Sequence, residues 1–143
     1  GDQAGTAFQW DHFVLAGNKL SSKLFTGKAL PEDSIFACPD GLWCDANSRL
    51  WIQTDMGDIG PPFKGALEPF GTNQMLAADP KTGEVRRFLT GPWGQEVTGV
   101  ITTPDQKTMP RATRQGTPRP RMMVKVKKPL MPIPGATANG RRA

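Results

Sequence analysis

The chain has 143 residues, 37% of them hydrophobic, which suffices for one modest domain and its core. Sixteen Gly and fourteen Pro argue against an all-helical fold, because Gly adds backbone entropy to be lost on folding and Pro lacks the N–H that helices use. No apolar run approaches the roughly 20 residues of a membrane span and no charged–apolar–small leader opens the chain, so the sequence predicts a soluble protein without a targeting segment of its own.

The formal net charge of +5 divides sharply along the chain. Residues 1–106 carry 8 Lys/Arg against all 13 Asp/Glu, whereas residues 107–143 carry the other 10 Lys/Arg and no acid. The basic character therefore belongs to the tail. Cys38 and Cys44, with a single histidine, His12, leave the usual zinc spacings unfilled. We expect the cysteines to be free thiols acting as small apolar side chains, a disulfide being the alternative in an exported protein, and give His12 no role.

In chain order, residues 7–15 (AFQWDHFVL) read as an opening strand, and 16–34 as a connection without clear periodicity. From Pro39, GLWCD, the turn ANS and RLWIQTD form a strand, a tight turn and a strand. After a Gly/Pro-rich loop, NQMLAAD, the turn PKTG and EVRRFLTG repeat that pattern, so four strands should form an antiparallel meander. GLWCDANSRLWI from Gly41 can be laid on GVITTPDQKTMP from Gly99 at an offset of 58 residues, which suggests successive blades of a β-propeller. Pro110 falls where Ile52 sits in mid-strand, so the repeat is expected to stop there. The remaining Pro/Arg-rich stretch, without acids or aromatics, reads as a disordered basic tail in which only MMVKV resembles a strand.

FACPDGLWCDANSRLWIQTD, NQMLAADPKTGEVRRFLTGP and GQEVTGVITTPDQKTM closely resemble the C-terminal part of PhoX-type alkaline phosphatases, and QWDHFVLAGN resembles the segment that precedes it. The resemblance implies an all-β chain: an opening strand and connection (1–35), about one and a half blades of a six-bladed propeller (36–109) and a disordered tail (110–143), the last ascribed to a truncated or frameshifted gene. It implies a periplasmic or secreted phosphomonoesterase acting on phosphate monoesters, with calcium and iron in the channel of the intact enzyme. This chain is expected to be inactive alone and not to retain the metals, with no membrane partner.

Hard cations take oxygen ligands, so acids at the channel end of the innermost strands are the candidates. Glu96 before VTG, Asp40 before GLW and Asp55 after the second strand meet that requirement; no catalytic nucleophile is assigned. Asn73 could offer an amide oxygen to a cation, but a strand start is the preferred reading. Trp43, Trp51 and Met75 are expected to be packing residues, and Asp45, Glu68 and Glu84 surface or turn groups. Two departures stand out: Gln95 lies where family members often carry Cys, and the family's aromatic–Val strand is missing after Met109. Two alternative readings compete, a lactonase-like calcium-binding propeller, which leaves LAADPKTGEVRRFLTGP unexplained, and a non-enzymatic protein whose basic tail binds anions. Nucleic acid is not the expected partner, because no aromatic interleaves the cations.

Overall fold

A computed structural model of the chain describes residues 4–57, 65–115 and 123–125, those from 110 onward as backbone only. Strands β1 (Val14–Leu15) and β2 (Lys23–Leu24) form a small antiparallel pair. Strands β3 (Pro39–Cys44), β4 (Leu50–Thr54), β5 (Gln74–Ala78) and β6 (Val85–Thr90) form a four-stranded sheet in that order, and β7 (Gln95–Val100), β8 (Thr108–Gln115) and β9 (Met123–Lys125) form a second sheet. Helix among the described residues is confined to single 3-10 turns at Glu32–Ser34 and Glu68–Phe70. The expected meander is present, with Trp51 opposite both Trp43 and Ala77.

Strand alternation gives the first sheet two buried faces. Ile52, Leu76, Ala78 and Val85 point into one cluster with Leu24, Leu30, Ile35 and Phe36, while Trp51, Met75 and Ala77 point into another with Val97 and Met109. Burying such side chains contributes about 1.5–3 kcal/mol each, so both layers are needed to hold β4 and β5 in place. The first layer comes from the segment read as a mere connection. It is tied down where Ser34 Oγ accepts from Arg87 N at 3.2 Å and Arg87 donates to the Ile35 carbonyl at 2.8 Å. Of the expected opening strand, only Val14 and Leu15 pair. Residues 7–12 find no partner strand among the described residues, and Phe8 and Trp10 are exposed.

The 58-residue repeat is written in the backbone of its turns. Ser48 and Gln106, 58 positions apart, are two of the three non-glycine residues with positive φ among those described. Their N–H groups donate to the carbonyls of Asp45 and Thr103, again 58 apart. Gly41 and Gly99 likewise both fall at register shifts, in β3 and β7. In the second turn Thr103 Oγ1 donates to Asp105 at 2.5 Å and Lys107 N at 3.1 Å, which hold the Asp105 carboxyl below its ordinary value. Pro110 does not end the strand. Pairing with β7 involves Arg111 to Gln115, so Pro110 donates nothing to that ladder, and β8 runs five residues past it. Residues 116–122 and 126–143, the rest of the expected tail, lie outside the described residues.

Candidate metal centre

The meander brings three acids to one end of the fold. Strands β3 and β4 are antiparallel with Pro39 opposite Thr54, so Asp40 near the start of one lies beside Asp55 just after the other. A backbone bond from Asp55 N to the Cys38 carbonyl, 3.0 Å, carries the pairing past the strand end. Two further strands return the chain to the same end, where β7 starts and carries Glu96.

One carboxylate oxygen from each of Asp40, Asp55 and Glu96 lies within 4.8 Å of the others. These are the three acids singled out in the sequence. Asp40 and Asp55 are exposed and Glu96 is half-buried. Among the described residues, ion pairs join Arg49 to Asp45 and Arg86 to Glu84, and neither involves the cluster. Three converging carboxylates fit a hard cation, which takes such oxygens in preference to softer donors, and on the neighbouring strand Glu96 stands opposite Arg114.

Local backbone sets the approach. The register shift between Pro39 and Leu42 leaves Asp40 and Gly41 facing the single residue Gln53. A Cβ at Gly41 would come within 2.4 Å of Gln53 Oε1, so the glycine is what allows the buried amide to lie beneath the bulge. Gln53 is 1% exposed and its Nε2 has no hydrogen-bond partner among the described residues. Asp55 Oδ1 accepts from Gly57 N at 3.0 Å, closing a short turn after β4.

Asn73 is neither a free ligand nor a simple strand start. Its Oδ1 accepts from Met56 N at 2.7 Å and Thr54 Oγ1 at 3.3 Å, and its Nδ2 donates to the Gln95 carbonyl at 3.1 Å. Gln95, which stands where family members often carry Cys, is itself buried. Trp51 and Met75 are fully buried packing residues as expected, with Trp43 against their cluster. Glu68 and Glu84 are exposed, but Asp45 is a turn acid inside the core, 6% exposed. Cys38 and Cys44 are free thiols, yet exposed rather than packed.

No helix among the described residues is long and apolar enough to cross a membrane. Comparison with curated proteins found no match. The family model described as alkaline phosphatase PhoX matches residues 1–112. A solved structure of Pseudomonas fluorescens PhoX in complex with vanadate, a transition state analogue, is similar at 45% identity and a TM-score of 0.59. That similarity covers 73% of this chain and 18% of the other, so the chain spans less than a fifth of that protein's length. With a family match over most of its length and strands laid out as in a solved member, the chain belongs to the PhoX alkaline phosphatase family.

Proposed function

We propose that the chain corresponds to one blade and the start of the next of a six-bladed propeller phosphomonoesterase, and that Glu96, Asp40 and Asp55 hold a hard cation, calcium or iron, at its channel. The observation that carries this reading is the convergence of the three carboxylates within 4.8 Å. Family membership supports phosphate monoester hydrolysis and a periplasmic or secreted location, and favours the phosphatase over a lactonase-like propeller. When bound, such an ion supplies Lewis-acid polarisation of phosphoryl oxygen. The chain's own residues orient the ligands: the bulge at Gly41 aims Asp40, the Gly57 amide holds Asp55, and β7 presents Glu96.

Three carboxylates alone hold an ion loosely, so the chain is expected to lose it during purification yet bind it when supplied. Titration of the full chain with calcium, or with terbium followed by its luminescence, tests this. Glu96→Gln keeps the side chain's size and removes its charge, and should weaken binding at least about tenfold, the lower end of the effect of losing even an outer contact. Glu84→Gln, at an exposed turn acid, should leave binding unchanged. Equal affinity in the two variants would reduce Glu96 to an ordinary strand-end acid.

A further inference from the structure

We infer that Asn73 is the positioning residue of the metal centre: its single amide fixes the spacing between Asp55 and Glu96. The inference rests on the proposed cation site and adds to it a residue that touches neither the ion nor substrate.

The geometry is reciprocal. Asn73 Oδ1 receives hydrogen bonds from the residues on either side of Asp55, Thr54 through its hydroxyl and Met56 through its backbone N–H, while Nδ2 donates to the carbonyl immediately before Glu96. The residues on both sides of one ligand, Thr54 by its side chain and Met56 by its backbone, and the carbonyl just before another are thus bonded to one planar group, 4% exposed. The orientation of the amide is fixed by its partners, because a backbone N–H can only donate and a carbonyl can only accept. Further bonds hold Asn73 itself: Gly91 N donates to its carbonyl at 2.7 Å, Thr72 Oγ1 donates to the Gly91 carbonyl at 2.6 Å, and Gln74 N donates to Thr54 Oγ1 at 2.8 Å.

Few other side chains could do this. Aspartate retains the acceptor but sets a second oxygen against the Gln95 carbonyl, glutamine is one methylene too long, and serine offers too short a reach to bridge both partners. A ligand pair held this way is pre-organised, so the cation meets carboxylates already in place.

The test is a double-mutant cycle in cation affinity on the full chain, using calcium and terbium, with Asn73→Ala, Glu96→Gln and the double variant. Asn73→Ala should weaken binding at least about tenfold, and Glu96→Gln should cost less in the Asn73→Ala background than in the wild type, because a ligand no longer held in place has less to lose. A purely structural Asn73 would give additive losses. Hydrogen exchange at the Met56 amide provides a measurement that survives if Asn73→Ala fails to fold. By linkage, cation binding to the wild-type chain should slow exchange at that amide, and in Glu96→Gln the slowing should disappear. Absence of saturable binding by the wild-type chain removes the metal centre and the inference with it. Binding that Glu96→Gln weakens, but with additive losses or with Met56 exchange unmoved by the ion, overturns the role of Asn73 alone.

Discussion

Asp45 sits in the β3–β4 turn with both carboxylate oxygens engaged inside the protein. Oδ1 accepts from the backbone N–H groups of Asn47 and Arg49 at 2.8 and 3.0 Å, and Oδ2 accepts from Arg49 Nε at 2.6 Å and Trp51 Nε1 at 3.1 Å. Arg49 and Asn47 both also bond to Gln106 Oε1, so the cluster joins the first hairpin's turn to the second's. A buried carboxylate is tolerable only when so completely partnered, and removing it takes from the buried Arg49 guanidinium its paired charge. Asp45→Ala should therefore destabilise the chain by about 3–5 kcal/mol. Glu84→Ala breaks only an ion pair whose side chains are 64% and 43% exposed, and should cost less than about 1 kcal/mol. Urea unfolding of both variants checks the contrast, and equal midpoints would show that the Asp45 cluster contributes no more than a surface pair. At this scale the sequence was legible where a residue's role is local. Asp40, Asp55 and Glu96 could be singled out from strand ends and the family motif, whereas Asn73 takes a partner 22 residues away along the chain and the Asp45 turn is joined through Arg49 to Gln106, 57 residues on, which no spacing rule displays.

Strand β5, QMLAA, shows how elements are decided against local preference. Gln, Met, Leu and Ala all favour helix, yet the segment lies buried between β4 and β6 with every residue covered. Its turn gives the reason. Asp79 N bonds to the Glu84 carbonyl and Gly83 N to the Asp79 carbonyl, each at 2.9 Å, while Asp79 Oδ1 receives Lys81 N at 2.8 Å. The turn thereby reverses the chain before a helix could propagate. Gly83 holds φ at 74°, and an added Cβ would meet the Phe25 ring at 2.8 Å. Gly83→Ala should cost about 1–3 kcal/mol, from left-handed backbone strain and overpacking together. Gly27, also at positive φ but with open space around it, provides the comparison: Gly27→Ala should cost only the backbone part. Matching thermal midpoints for the two would show that Phe25 yields freely. The meander was readable because such turns carry their chemistry in sequence. The opening strand failed because alternation cannot guarantee a partner, and Pro110 misled because its position in β8 lies before the ladder to β7 begins.

For the molecule as a whole, one sheet covered on both faces and a second beginning beside it bring the three acids to one end of the fold. On the proposed reading the three carboxylates, one of them opposite Arg114 in the β7–β8 ladder, share one cation, and the phosphate monoester that must approach it is itself an anion. The chain spans less than a fifth of the matched PhoX structure, and on the proposed reading turnover needs the further ligands and ions that the other blades of a complete propeller would bring. The purified chain, supplied with calcium and iron, should consequently show cation binding without hydrolysis of p-nitrophenyl phosphate above the background of a Glu96→Gln control. Under the same conditions a complete family member should hydrolyse the ester and lose activity on chelation. Hydrolysis by the isolated chain that disappears with a chelator and with Glu96→Gln would mean that the three acids form a self-sufficient centre, or that copies of the chain associate to complete one, and sedimentation of the active sample would separate those two cases.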